Sequence, residues 1–157
     1  MKAFKFSLKR VQTYKGQILD KEKRTLGIFI RQRDEIIDKI RILEHFRDTK
    51  AAEAFEKQRE GVGVQELLSF SYLIENARAQ LKMARIELQR AEETVENQRR
   101  VVVAAYQEKT GMDRLEEKQE EEHRLLAAKF EENEVMQVIS NKWADRTGAG
   151  DINPEIA

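Results

Sequence analysis

The chain has 157 residues, of which 37% are charged and one, Pro154, is proline. So much charge leaves little side-chain volume for a compact core, and nothing before Pro154 denies a helix its backbone donors. The lack of cysteine excludes disulfides and thiolate metal sites, and no apolar run is long enough to span a bilayer. The N-terminus carries lysines without the apolar core of a signal peptide, so a cytoplasmic protein without direct membrane insertion is expected.

A first helix is predicted over about residues 4–58. Leu8, Val11, Ile18, Phe29, Ile36, Ile40 and Leu43 form a helical stripe with one eleven-residue step between Ile18 and Phe29. The segment Glu60-Gly61-Val62-Gly63-Val64 holds the only closely spaced glycines before the tail and predicts a turn at 59–63. A second helix follows over about 64–143. In it Leu67, Ile74, Leu81, Leu88, Val95 and Val102 stand seven residues apart. Phe70, Ala77, Ala84, Ala91, Gln98 and Ala105 each come three residues later. This large-then-small seam is what a helix needs to lie along another helix for a long distance.

Folding the chain back at the turn sets Phe29 opposite Val95, Ile36 opposite Leu88, Ile40 opposite Ala84, Leu43 opposite Leu81 and Ala54 opposite Phe70. Apolar meets apolar in every pair, so the expected fold is all-α, a long antiparallel two-helix coiled-coil hairpin forming one domain over 1–146. A parallel homodimeric coil, which pairs each column with itself, is the competing arrangement. Charge supports the hairpin. Residues 1–60 hold 16 Lys and Arg against 10 Asp and Glu, whereas residues 111–157 hold 6 against 12. The fold sets the basic segment 2–15 beside the acidic stretch 113–122, and opposite charges favour that pairing. Gly16, Gly27 and Gly111 fall inside helices, either as close approaches or bends or, on the preferred reading, as defects tolerated by packing.

The second helix outruns the first at about residue 120, leaving about 23 residues, or about 35 Å, to project alone. Leu125, Met136, Ile139 and Trp143 share a stripe of that overhang, and a lone amphipathic helix calls for a partner. The tail 147–157, with Gly148, Gly150 and Pro154, is expected to be disordered. Near the turn Leu67, Leu68, Phe70, Tyr72, Leu73 and Ile74 surround the second helix, opposite the small and polar run Arg47–Phe55. Either a partner covers this surplus apolar surface or the turn folds back over it.

Nothing in the chain favours chemistry, and no catalytic, metal or cofactor site is expected. Glu120-x-x-His123 has the spacing of half a carboxylate di-iron site, but His45 is preceded at the matching position by Ile42, so His123 reads as a solvated residue in an acidic run. Neither Gly61-Val62-Gly63 nor Gly148-Ala149-Gly150 leads into Lys-Ser/Thr, so no phosphate-binding loop is present. The basic, aromatic-interleaved segment Lys2–Arg10 suits an anionic membrane or nucleic acid, but docking against the acidic second helix explains the same residues and is preferred. No nucleic-acid partner is expected.

The opening Phe4-Lys5-Phe6-Ser7-Leu8-Lys9-Arg10-Val11 resembles that of the FliJ family of flagellar type III export proteins. So do Val62-Gly63-Val64-Gln65-Glu66-Leu67 with the following Phe70, Leu73 and Ile74, and the run Gln107-Glu108-Lys109 through Leu115-Glu116-Glu117-Lys118. The likeness covers about residues 4–143. It implies a non-enzymatic antiparallel coiled coil, similar to the central stalk of rotary ATPases, at the inner face of the cell membrane. The implied partners are the hexameric export ATPase, which it stimulates, export chaperones, which it escorts, and the cytoplasmic linker of the membrane export gate. By position, the implied gate contacts are Leu43, Phe46, Phe70, Leu73, Ile74 and Ala77. Contacts to the ATPase ring fall to Phe4, Phe6, Leu8, Leu125, Met136, Ile139 and Trp143. The free protein is then expected to be a monomer, and a generic homodimeric coiled-coil scaffold is the alternative.

Overall fold

The computed structural model describes residues 2–148 and consists of two long helices packed against each other, α1 (Lys9–Glu60) and α2 (Val64–Gly148). No strand occurs among the described residues. The described residues divide into two compact units, 14–109 and 2–13 with 110–148.

In the unit 14–109 the α2 seam is as the heptads predict. All twelve members of the two columns, from Leu67 to Ala105, are buried or half-buried, with Ala77, Leu81, Ala84, Val95 and Ala105 fully so. Ile40, Leu81 and Ala84 form one core cluster, and Ile36, Leu43 and Leu88 pack against it. These six residues are the three central pairs of the predicted register. The large member of each heptad fills volume, and the alanine three residues on lets the helices approach.

The α1 seam differs from the predicted stripe. Its regularly covered positions are Leu19, Leu26, Arg33, Ile40, Arg47 and Ala54, seven apart, with Lys15, Glu22, Phe29, Ile36, Leu43 and Lys50 four residues before each, and Ile18 is half-buried beside them. This is an unbroken heptad, and the eleven-residue step does not exist. Arg33, Arg47, Lys15 and Lys50 hid it, because long basic side chains lay their apolar stems along a seam while the charge stays in water. Leu8 and Val11, assigned to the stripe, are exposed, and Gln12 takes the covered position.

The turn is tighter than predicted, residues 61–63 only. Gly61 has φ 89°, the left-handed conformation that closes a helix C-terminus and that glycine adopts without strain. Lys57 and Arg59 in the last turn of α1 and Glu66 in the first turn of α2 complement the helix dipoles. The carbonyl of Gly63 accepts the first α2 backbone bond, from Leu67, at 3.1 Å. Ion pairs cross between the helices at Lys57–Glu66, Glu44–Arg85, Lys39–Glu87 and Lys15–Glu108. Each is exposed enough to contribute at most about 1 kcal/mol, so they confirm the register more than they hold it.

Of the helix glycines, Gly27 and Gly111 have open space where a Cβ would stand, and Gly16 has only the Lys109 side chain at ordinary contact distance. None marks a close backbone approach.

In the unit of residues 2–13 and 110–148, α1 starts at Lys9, about five residues later than predicted. Residues 2–6 are not helical, and residues 7 and 8 make a turn closed by Lys9 N–H to the Phe6 carbonyl at 3.2 Å. Past Ala127 every described residue of α2 is exposed. The helix runs to Gly148 rather than to about 143, so Thr147 and Gly148 belong to it. The rest of the expected disordered tail, residues 149–157, lies outside the described residues.

Candidate functional site

The surface offers three features with chemical content: a polar clamp, an apolar surface near the turn, and a bare stretch of α2.

The clamp belongs to the unit of residues 2–13 and 110–148. Gln12, 8% exposed, donates from Nε2 to Asp113 Oδ1 and Glu116 Oε2, both at 2.7 Å. Lys9 Nζ reaches Glu116 Oε1 at 3.2 Å. The Gln12 amide and then the Lys9 ammonium hold the Glu116 carboxyl below its ordinary value of 4.5, because both favour the charged form. Gln12 Oε1 is buried without a partner. Farther along, His123 donates from Nε2 to the Lys2 carbonyl at 3.1 Å, and its ring meets Phe4 at 5.7 Å with a 54° tilt. Phe6 is buried. His123 is therefore the anchor of the N-terminal segment and not a solvated residue. Charge pointed to docking of this segment on the acidic part of α2, but a non-helical segment leaves no periodic trace, so nothing in the sequence singled out His123.

Of the expected ring contacts, Phe4 and Phe6 are spent within the clamp, and Leu8 is exposed beside it. Leu125, Met136, Ile139 and Trp143 are all free, Trp143 at 69% exposure. Val135 and Val138 are exposed with them and had no place in the predicted stripe.

In the unit 14–109 the six expected gate contacts have unequal access. Ala77 is 3% exposed and lies in the seam, and Leu43 packs on the Ile40–Leu81–Ala84 cluster. Phe70, Leu73 and Ile74 are half-buried, and Phe46 is exposed with the Lys50 ammonium 5.7 Å above its ring. At about 100° per residue, Phe46 and Leu73 come to the same side of the seam. Ala54, Leu67, Phe70 and Ile74 line a shallow groove with Gln58 and Arg78. Beyond the expected set, Ile42, Phe55, Val64, Leu68 and Tyr72 are exposed, Tyr72 at 72%. The turn does not fold back over this surface. Leu68 and Tyr72 were legible as surplus, whereas Val64 and Phe55 were not, since only the finished register shows which way they face.

Among the described residues, no group of three or more His, Asp or Glu side chains is arranged to hold a metal ion. No helix among them is long and apolar enough to cross a membrane. The architecture defines a two-helix coiled-coil protein whose contact surfaces lie on the helix faces. The family described as "Flagellar FliJ protein" matches residues 4–135, most of the chain. The chain thus belongs to the FliJ family and is a component of the flagellar export apparatus, a structural role and not a known enzymatic one. No curated protein and no solved structure matches it.

Proposed function

We propose that this chain acts as the stalk-like coiled coil of flagellar export: it binds the hexameric export ATPase, raises its rate of hydrolysis, escorts export chaperones and contacts the cytoplasmic linker of the membrane export gate. Its place is then the cytoplasmic face of the membrane. The observation that carries this reading is the stretch of α2 past Ala127, helical and exposed throughout, with Met136, Ile139 and Trp143 uncovered. A helix of that kind is suited to enter a ring and contact its subunits unequally. Contacts stronger with the closed subunit shift that subunit toward closure, which is all a non-catalytic activator must supply. The surface of Phe46, Phe70, Leu73 and Ile74 serves the gate, with Leu43 and Ala77 as its packed floor. The long apolar side chains there are exposed beyond what a helix pair requires.

The test is the hydrolysis rate of the cognate export ATPase with the purified chain added. The expected result is a rate that rises with the amount added and a complex that co-elutes. Unchanged hydrolysis together with no detectable complex overturns the proposal.

A further inference from the structure

The bare stretch of α2 carries two hollows. The first is lined by Ala128, Glu131, Glu132, Val135 and Met136, and the second by Ile139, Lys142, Trp143, Asp145 and Arg146. Every one of these residues is exposed. They do not continue the seam that faces α1. The seam columns through Gln119 and His123 lead on to Leu126, Phe130, Asn133, Gln137 and Ser140, which turn polar within two turns. At about 100° per residue, Ala128, Val135 and Ile139 fall on the other side of α2 from Gln119, Glu122, His123 and Leu126, against which residues 2–5 lie. This apolar face is therefore not the remnant of a missing length of α1. It requires a partner of its own.

The two hollows are complementary in charge. The first is acidic, with Glu131 and Glu132 around the small Ala128. The second is basic, with Lys142 and Arg146 around the large Trp143 and Asp145 at its margin. A two-fold axis at the level of Gln137 exchanges them. It carries Val135 onto Ile139, Ala128 onto Arg146, and positions 131 and 132 onto 143 and 142. Running antiparallel, two copies set each acidic hollow over the other copy's basic hollow. At this register Glu132 stands level with Lys142 of the second copy, and Glu131 lies within one turn of its Arg146. Both contacts occur twice, as a two-fold interface demands. A parallel pair instead stacks the four glutamates together, so the charge pattern chooses the direction.

We propose that the exposed end of α2 is a homodimer interface, in which residues 128–146 of two copies pair antiparallel about Gln137. The partner is a second copy of this chain, joined end to end with both helix pairs intact. An interface about 28 Å long between two single helices is small, so the dimer is concentration-dependent and the monomer prevails when dilute. Resting on the stalk reading above, the dimer also covers Met136, Ile139 and Trp143, so self-association and entry into the ATPase ring exclude each other.

Sedimentation equilibrium from about 5 μM to about 500 μM, with no ATPase present, tests the interface. The weight-average mass is expected to climb from 18.4 kDa toward twice that value. A variant with Glu131→Lys and Glu132→Lys should stay at the monomer mass, and so should one with Lys142→Glu and Arg146→Glu. Mixing the two restores the dimer, because each acidic hollow again meets a basic one. Circular dichroism should show the same helicity in both variants, and the rescue by mixing excludes misfolding. A constant monomer mass at every concentration, or a dimer indifferent to the charge reversals, overturns the proposal. Neither result touches the ATPase reading, which is judged on hydrolysis alone.

Discussion

The two units pair the same helices with opposite chemistry. In residues 14–109 the seam is filled by Ile40, Leu81, Ala84, Val95 and their neighbours. In residues 2–13 with 110–148 the corresponding α2 positions are Met112, Glu116, Gln119 and His123, and the buried α1 partner is Gln12. An apolar seam contributes stability in proportion to the area it removes from water and is indifferent to direction. A polar seam contributes little net stability, because each hydrogen bond replaces one to water, but it tolerates only the register that satisfies its groups. The first unit thus holds the pair together, and the second adds specific polar pairings among its own residues. Glu22 and Gln98 show the same division on a small scale: Gln98 Nε2 bonds the Glu22 carboxylate at 2.5 Å and its carbonyl at 3.1 Å, a polar rung inside the apolar unit.

The most direct way to break this contrast is Leu81→Ala. Leu81 is 1% exposed at the centre of the core cluster, and its truncation is expected to cost about 3 kcal/mol in urea unfolding. A loss below about 1 kcal/mol would mean that the apolar unit is not the one that holds the pair together. A smaller effect sharpens the role of the turn. Gly61→Ala must force a side chain into a φ of 89° and is expected to cost about 1 kcal/mol, whereas Gly63→Ala, at ordinary φ, costs less. Equal losses at the two glycines would remove the left-handed closure from the account. The smallest effect concerns the polar unit. With its folded-state pKa depressed, Glu116 contributes stability that is present above pH 4.5 and is lost as pH falls through the folded value. A carboxyl-carbon NMR titration is expected to place Glu116 below 4.5, and Gln12→Leu should move the midpoint back toward it, since the Gln12 amide is the larger cause. A midpoint unmoved by Gln12→Leu would show that the network does not govern the carboxylate.

The α2 seam was legible because its two columns are almost wholly apolar and alternate large with small, a pattern with a single helical explanation. The α1 seam was only half legible, since Arg33, Arg47 and Lys15 occupy covered positions with charged side chains, and hydropathy alone discards them. The register survived that error because Ile36, Ile40 and Leu43 suffice to set it. The exposed end of α2 was visible as an excess of helix length, and its apolar stripe as a spacing. Its two-hollow charge pattern was not visible, because it depends on which side of the helix faces away from α1. Nothing in the sequence separated Gly61 from Gly63, which differ only in backbone angle. The Phe4–His123 anchor joins groups that are 119 residues apart and follow no period.

The three-residue link between the helices also dictates an order of assembly. Contacts beside Gly61 join residues near in sequence, so the first closed loop is short and its entropic cost small. Each later rung enlarges that loop only slightly once the one before it has formed. The chain therefore zips outward from the bend. The aliphatic rungs form early, and the last step, the capture of Lys2 and Phe4 by His123, is the first to be undone.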